Sequence, residues 1–287
     1  MTTTEVRGIA RALRVALSTV GETIVDDRPF DGDALDRRDE RFVEQVVDGM
    51  HALVTRYFSL RIDGVEHLDP SRPSFYVANH NGGISGPDIP CTLSTLWRAL
   101  GPKTPLYALA HDFSMRQLPP FGRVLQRAGA VRASSENARR IFARGGHALV
   151  YPGGDLDAYR HFGRRNQVVF GHRTGFVRVA QTCGVPIVPI VAHGAHRSAV
   201  IFTEGASIAR AIALKRWGRL ELFPLALALP WGLAIGPWVP YLPLPFPIRL
   251  RVLPPMTIAR DDDPNHARER VVAVMQRALD DMAGSER

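Results

Sequence analysis

The feature that most constrains the fold is an alternation of short apolar segments with longer amphipathic ones. Short segments rich in branched and aromatic side chains lie at 74–78, 106–110, 148–151 and 186–192. The stretches between them show the spacing of helices, with starts at Pro87 and Ser134 and a stop at Gly184. Buried strands that alternate with helices are typical of a parallel sheet. The sequence therefore predicts an α/β fold: a single domain with a largely parallel mixed sheet flanked by helices.

The first 41 residues precede this alternation and have a different pattern. Apolar residues recur there at spacings of three and four, which would place them on one face of a helix: Ile9, Leu13, Leu17, Val20 and Ile24. Such a helix would either lie on a bilayer or pack on the rest of the chain. Residues 26–41 are dense in charge, which favours a solvated linker. We predict an N-terminal amphipathic helix and charged linker over 1–41 and one further domain over 42–287.

A histidine follows the strand predicted at 74–78. His80 lies between Asn79 and Asn81 and is followed by two glycines, so it belongs to a loop where backbone can approach a ligand closely. Imidazole titrates near neutral pH and can take a proton from a hydroxyl group. A solvated or capping role is the alternative for a single histidine in a loop. His80 is thus a candidate general base.

Four segments in a fixed order place His80 in a wider pattern. They are Asn79-His80 with Asp88, Gly129–Ala138, Tyr151–Asp155 and Val185–Pro189. In type and order they resemble the motifs of the glycerolipid and lysophospholipid acyltransferase superfamily. That superfamily has an Asn-His pair followed by an acid, a strand with a serine-containing turn, a Pro-Glu-Gly or Pro-Gly-Gly strand end, and a proline-flanked apolar strand. The resemblance runs from Ile62 to Val191 and implies that 42–287 is an acyltransferase domain.

The resemblance implies a chemistry for the site. His80 would remove the proton from an acceptor hydroxyl as it attacks an acyl thioester, and Asp88 would hold the imidazole in its productive tautomer. Acyl-CoA would be the co-substrate and a glycerolipid or lysophospholipid the acceptor, with no cofactor and no metal required. The positions that match substrate-binding motifs are Asn79, Asn81, Gly82, Gly83, Arg132, Gly153, Gly154 and Asp155.

The acid of the first motif departs from the superfamily's spacing. The superfamily has its acid five residues after the histidine, where this chain has Ser85, and Asp88 comes eight residues after His80. A loop made flexible by glycines could still bring Asp88 back to His80. Alternatively, Asp88 only caps the helix that begins beside Pro87.

The third motif also departs from the pattern. Gly153 replaces the usual glutamate, and the Pro-Gly-Gly form resembles the branch that acylates neutral acceptors such as diacylglycerol. Arg132 and Arg160 are available to bind a phosphate, so an anionic acceptor stays open. The two glycines are also compatible with an ordinary turn at the end of a strand.

The charge of the chain indicates an anionic partner. The formal net charge is +8, and the basic residues are arginine except for Lys103 and Lys215. Such a surface suits nucleic acid, a phospholipid surface or a coenzyme A thioester. We expect no nucleic acid, because the sequence has no recognisable nucleic-acid-binding module and no element with interleaved basic and aromatic residues.

Residues 222–248 form an uncharged stretch with seven prolines. The prolines would break an ordinary spanning helix, so the stretch is either a loop folded on the core or an apolar surface that contacts a bilayer or holds the tail of a substrate. A true membrane span is the remaining alternative. Trp231, Trp238 and Tyr241 are of the types that favour a membrane interface. The N-terminus lacks the pattern of an export signal. We therefore predict peripheral or monotopic association with the cytoplasmic face of a membrane.

Single features of the sequence are compatible with three other classes of protein. Ser85 lies near His80, but its surroundings do not match the Gly-x-Ser-x-Gly elbow of serine hydrolases. His193 and His196 have no carboxylate beside them, and we interpret them as incidental rather than as metal ligands. The alternative that stays open is a non-catalytic protein that binds lipid or acyl-CoA on the same fold.

Overall fold

The computed structural model describes residues 2–25, 30–83, 86–111, 115, 119–211, 222–236 and 241–285. The strands of its main sheet are β1 Arg61–Asp63, β2 Phe75–Ala78, β3 Leu106–Ala110, β4 Ala130–Arg132, β5 His147–Val150, β6 Ile187–His193 and β10 Arg249–Val252. A smaller sheet consists of β7 Val200–Thr203, β8 Leu225–Ala228 and β9 Gly232–Ile235.

The main sheet has the order β1-β10-β6-β2-β5-β3-β4. The strands from β6 to β4 are parallel to one another, β10 is antiparallel to β6, and β1 is parallel to β10. The predicted α/β fold with a largely parallel mixed sheet is therefore confirmed. In this topology the carboxyl ends of β2, β5 and β6 meet at one edge, where loops from neighbouring strands come together.

Helices cover both faces of the main sheet. They are α1 Thr3–Ile24, α2 Glu40–Tyr57, α3 Asp88–Leu100, α4 Pro119–Arg127, α5 Ser135–Ala143, α6 Gly154–Ala158, α7 Gly175–Cys183, α8 Ala206–Ala211 and α9 Pro264–Gly284. Apolar residues of α5, α7 and α9 pack on one face, and those of α2 and α3 pack on the other. Alternate side chains of β2 therefore enter two cores: Phe75 and Val77 the first, Tyr76 and Ala78 the second.

The segment after α1 is packed where it is described. Leu35 is 1% exposed and belongs to the core, and Arg38 donates hydrogen bonds to the carbonyl oxygens of Pro102 and Thr104 at 2.6 and 2.8 Å. The prediction of a solvated linker is therefore wrong for 30–41, because an apolar side chain anchors its charged neighbours to the sheet. Residues 26–29 lie outside the described part, and the domain boundary at 41/42 stays a prediction.

The stretch 222–248 contains a β-hairpin that was not predicted. Leu227 pairs with Leu233 across β8 and β9, and Leu225 pairs with Ile235. The large side chains of these pairs face outward, whereas Ala228 and Ala234 face the body and are buried. The loop alternative therefore does not describe 225–235, whereas 241–247 form no helix or named strand and fold on the body, where Tyr57 donates a hydrogen bond to the Pro243 carbonyl oxygen at 2.9 Å. No helix is present among the described residues of this stretch. Trp238 lies outside the described residues.

Helix α1 packs on α2 through small residues, and the apolar stripe predicted for it faces away. Leu17 is 71% exposed, and Leu13, Val20 and Ile24 are exposed as well. The contact with α2 is made instead by Gly8 and Ala12, on the opposite side of α1. The stripe therefore does not pack on the body.

This close contact predicts that substitution by alanine has opposite effects on the free energy of unfolding at two helical glycines, Gly49 and Gly21. A Cβ atom at Gly49 would lie 2.2 Å from the carbonyl oxygen of Gly8, whereas a Cβ atom at Gly21 has no atom within 4 Å. We expect Gly49→Ala to lower the free energy of unfolding by about 1–3 kcal/mol through overpacking. Gly21→Ala should raise it by about 0.5–1 kcal/mol, because alanine favours a helix. Chemical denaturation measures both, and equal effects would contradict the packing described.

Candidate active site

His80 follows β2 at the carboxyl edge of the sheet and contacts Asp88. The Nδ1 atom of His80 lies 2.9 Å from Oδ2 of Asp88, the first residue of α3. The Asp88 side chain is fully buried, and 14% of the His80 side chain is exposed. The loop between them thus closes on itself despite the spacing of eight residues. In the described residues no side-chain cap is found at the start of α3, so Asp88 faces His80 rather than capping the helix.

Glycines allow this loop to fold back. Gly82 and Gly83 have φ angles of +77° and +65°, a region that residues with a Cβ atom rarely adopt. Gly86 is needed for space, because a Cβ atom there would lie 2.6 Å from Oδ1 of Asp88 and 2.9 Å from Cε1 of His80. Ser85, considered above as a hydrolase nucleophile, lies outside the described residues.

The surroundings of His80 favour the cationic form of its ring, in which both nitrogens are protonated. Burial lowers the pKa of His80, but Asp88, through its charge and hydrogen bond, and to a smaller extent Asp157 more than offset this effect, so the pKa is raised. A carboxylate can only accept a hydrogen bond, so we assign the Nδ1 hydrogen to the bond with Asp88. This tautomer leaves the lone pair of Nε2 free to act as a base. The ring of Tyr151 packs on the imidazole with 4.9 Å between centroids.

The two asparagines beside His80 bond to protein groups. Asn79 accepts a hydrogen bond from the Ala192 N–H at 2.7 Å and donates one to the Ala192 carbonyl oxygen at 3.1 Å, which joins the end of β2 to β6. The Asn81 backbone N–H donates to Asp88 Oδ2 at 3.1 Å. Both side chains are buried. They hold the loop in place, and their predicted contact with substrate stays a prediction.

The third predicted segment forms the loop after β5. Nη2 of Arg173 lies 2.9 Å from Oδ1 of Asp155, and Nη1 of the same side chain donates to the Gly153 carbonyl oxygen at 2.7 Å. A Cβ atom at Gly154 would lie 2.5 Å from that guanidinium, so a glycine makes room for it. The loop is therefore braced by an arginine from a later segment. Roles for Gly153, Gly154 and Asp155 in substrate binding stay predictions.

Comparison with known proteins shows what the chain is similar to. Residues 59–193 match the family model described as Acyltransferase, and this range contains every motif discussed above. The fold is also similar to that of the 1-acyl-sn-glycerophosphate (LPA) acyltransferase PlsC from Thermotoga maritima. The TM-score is 0.54, and the superposition covers 97% of this chain and 98% of that chain. At 14% sequence identity this likeness concerns the fold alone. The match over 59–193 and the shared fold support the resemblance to the glycerolipid acyltransferase superfamily.

Mycobacterial proteins share sequence with this chain. Uncharacterized proteins of Mycobacterium tuberculosis and Mycobacterium leprae are 30% and 27% identical over 188 and 187 residues. Each match covers 63% of this chain and 52% or 50% of the relative. The chain therefore spans about half the length of the curated relatives that it matches.

The two arginines considered for phosphate binding are engaged with the protein. Arg132, at the end of β4, pairs with Asp33 through its Nε atom at 3.0 Å. Three strand spacings separate β4 from β2, which is about 14 Å. Arg160 is fully buried, and each of its guanidinium nitrogens donates to a protein acceptor. The prediction that Arg160 is available for a phosphate is therefore wrong, whereas the substrate-binding role of Arg132 stays a prediction.

Several residues that support the His80 loop were not found from the sequence. Asp157, on α6, accepts a hydrogen bond from the His80 backbone N–H at 2.6 Å. His196, interpreted above as incidental, accepts one from the Gly82 N–H at 3.2 Å. Tyr241 donates to the Gly82 carbonyl oxygen. The available signal was the spacing of three between Asp157 and Arg160, which brings opposite charges together on a helical turn.

Proposed function

We propose that this protein is a membrane-associated O-acyltransferase that moves a fatty acyl group from acyl-CoA to a hydroxyl of a glycerolipid or lysophospholipid. The observation that carries the proposal is the 2.9 Å contact between His80 Nδ1 and Asp88 Oδ2 at the carboxyl edge of the sheet. A buried carboxylate beside a partly exposed imidazole is the arrangement of a general base with its orienting acid.

The reaction follows from the tautomer of His80. The acceptor hydroxyl attacks the thioester carbonyl carbon while Nε2 of His80 takes its proton, and Asp88 stabilises the resulting imidazolium. The tetrahedral intermediate then collapses, the carbon–sulfur bond breaks, and the proton on Nε2 passes to the coenzyme A sulfur. The products are an ester and free coenzyme A, and His80 returns to its neutral form.

The engaged arginines favour a neutral acceptor. Arg160 has no N–H group left for a phosphate, and Arg132 pairs with Asp33. In the loop after β5, Arg173 is likewise engaged with Asp155. A diacylglycerol or monoacylglycerol hydroxyl requires no such charge. Lysophospholipid acceptors are kept in the proposal because the assay below separates the two classes directly.

The test is transfer of a labelled palmitoyl group to a panel of acceptors. Palmitoyl-CoA and palmitoyl-acyl carrier protein serve as donors, and lysophosphatidate, lysophosphatidylcholine, monoacylglycerol and diacylglycerol serve as acceptors. We expect labelled ester from the CoA donor, with more product from the neutral acceptors. Product only from the carrier-protein donor would show that the acyl donor is acyl-acyl carrier protein and not acyl-CoA. No product from either donor with any acceptor would contradict the proposal.

Membrane association is supported by the outward face of the β8–β9 hairpin. Leu227, Leu233 and Ile235 are each about half exposed on this face, and Trp231 lies in the turn between the strands and is also exposed. In a typical hairpin the large apolar side chains face the body, whereas here the side toward the body carries alanine. Contiguous exposed apolar side chains mark a surface that contacts an apolar partner. No helix among the described residues has the length and apolar content needed to cross a bilayer.

This face predicts the behaviour of a hairpin variant. We expect Trp231→Ser combined with Leu233→Ser to weaken binding to phosphatidylglycerol/phosphatidylcholine vesicles by at least about tenfold, because each large side chain buried in the bilayer contributes about 1.5–3 kcal/mol. Vesicle co-sedimentation measures the change. Val65→Ser is the matched control. Val65 is similarly exposed, but it follows β1 at the end of the main sheet opposite to the carboxyl ends of β2, β5 and β6. Equal binding by all three proteins would exclude the hairpin as the contact.

A further inference from the structure

The backbone of His80 is held on both sides by one buried ion pair. The His80 N–H donates to Asp157 Oδ2 at 2.6 Å, and Nη1 of Arg160 donates to the His80 carbonyl oxygen at 2.7 Å. Arg160 and Asp157 pair at 3.0 Å, and neither side chain has any exposed surface. The two peptide units that flank the His80 Cα atom are thus both fixed by residues distant in sequence.

We propose that Asp157 and Arg160 are positioning residues that fix the location of His80 through its backbone. This inference rests on the proposed function, in which His80 is the base. Neither residue is placed where it would touch a substrate. Both act on His80 through hydrogen bonds to its backbone and through the electric field that their charges create at its ring.

The other hydrogen bonds of Arg160 connect the ion pair to the His80 loop and to neighbouring chain. Nη2 of Arg160 donates to Oδ1 of Asn81, and it also donates to the Arg165 carbonyl oxygen at 2.7 Å. Nε donates to the Arg164 carbonyl oxygen at 3.1 Å. Asp157 also accepts a hydrogen bond from the Val169 N–H at 3.0 Å. The pair therefore joins the His80 loop to the segment 164–169, which follows residue 160.

A buried ion pair is a poor means of stabilising a fold. Removing two charges from water costs several kcal/mol per ion, and well-packed apolar residues often stabilise a protein as much or more. What such a pair supplies is a defined geometry, since every donor and acceptor has a fixed partner. The His80 loop needs this geometry because consecutive glycines, Gly82 and Gly83, give it little local restraint.

A second set of contacts supports the same loop. The Gly82 N–H donates to Nδ1 of His196, and Nε2 of His196 donates to the Arg160 carbonyl oxygen at 2.8 Å. Burial and the charge of Arg160 lower the pKa of His196 to about 3, so its ring is neutral at physiological pH. Neutral His196 can therefore accept from one side of the loop and donate to the other without a change of charge.

The two charges of the pair act on His80 in opposite directions. Besides burial, which lowers the pKa of His80, the charges that face its ring are Asp88, Asp157 and Arg160. Asp157 raises the pKa of His80, and Arg160 lowers it. Removal of either charge should therefore shift the titration of His80 in a direction that depends on the charge removed. A purely structural role of the two residues would not predict a direction for the change in the pKa of His80.

The experiment titrates the His80 imidazole by NMR in labelled full-length protein, with the resonance assigned by its loss in His80→Gln. We expect Asp157→Asn to lower the pKa of His80 and Arg160→Met to raise it. Acyl-transfer assays on the same proteins should show kcat reduced about 10- to 100-fold by misplacement of the base, with the KM for acyl-CoA nearly unchanged. Arg160→Lys should recover part of the lost kcat.

The control and the contrary results separate this inference from the proposed function. Gln181→Leu removes partly buried hydrogen bonds to the carbonyl oxygens of Ala259 and Asp262, so it should lower the thermal midpoint without moving the pKa of His80 or kcat. If a single variant does not fold, the double variant Asp157→Asn/Arg160→Met leaves no lone buried charge and should still lower kcat. Unchanged titration and kcat in folded variants would overturn the positioning role. Full activity of His80→Gln would instead overturn the proposed function.

Discussion

Replacement of His80 by glutamine is expected to lower kcat for acyl transfer by about 10²- to 10⁴-fold, which is the usual contribution of a general base. Glutamine keeps a polar side chain of similar size, so it can still meet Asp88, but it cannot take up the hydroxyl proton at neutral pH. The KM for acyl-CoA should change little, because the imidazole acts on the proton rather than on the thioester's affinity. Initial rates with labelled palmitoyl-CoA measure both constants.

The matched control for this variant is His266→Gln. His266 is exposed in the first turn of α9, far along the chain from the His80 loop. It should leave kcat unchanged, and both variants should keep the wild-type circular dichroism spectrum. A His80→Gln enzyme that retained more than about one tenth of the wild-type kcat would exclude His80 as the base, given the contribution expected of such a group.

Replacement of Asp88 by asparagine is expected to reduce kcat by a similar factor, about 10²- to 10⁴-fold, through the tautomer of His80. An amide at this position can donate to Nδ1, which places the ring hydrogen on Nε2 and removes the lone pair that the reaction needs. Asp263→Asn is the matched control, because Asp263 lies at the start of α9 and accepts hydrogen bonds from Asn265 and His266. It should leave kcat unchanged.

The pH dependence gives the Asp88 variant a second readout. His80 acts as a base only when neutral, and its pKa is raised by Asp88, so wild-type activity should fall as the pH drops through that raised value. Without the carboxylate the pKa of His80 falls, and the residual activity of Asp88→Asn should persist to lower pH. An acid limb that did not move would show that Asp88 has no electrostatic influence on the reaction.

Much of the parallel core could be predicted because its signals are local. The buried strand Phe75–Ala78 is a short apolar run, and Ser134 marks a helix start because its side chain accepts a hydrogen bond from the Asn137 N–H. The order of the motifs also indicated the similarity to the Acyltransferase family that the match over 59–193 shows. The β8–β9 hairpin was missed because its large side chains face outward and its prolines obscured the strand pattern.

The contacts within the site depend on distances that sequence does not encode locally. Whether Asp88 reaches His80 depends on how Gly82, Gly83 and Gly86 fold the intervening loop. Arg160 was predicted to be available for a phosphate, yet its acceptors come from five separate residues that only the fold assembles. His196 was set aside for want of a carboxylate neighbour, whereas its partners are backbone groups.

The most direct test of the proposed chemistry is release of free coenzyme A thiol from palmitoyl-CoA by wild type and His80→Gln, with and without a glycerolipid acceptor. We expect wild type to release thiol in proportion to acceptor, and His80→Gln to release it at roughly one hundredth of that rate or less. Equal, acceptor-dependent release by the two proteins would contradict His80 as the base. No acceptor-dependent release by either would leave a protein that binds lipid or acyl-CoA without catalysis.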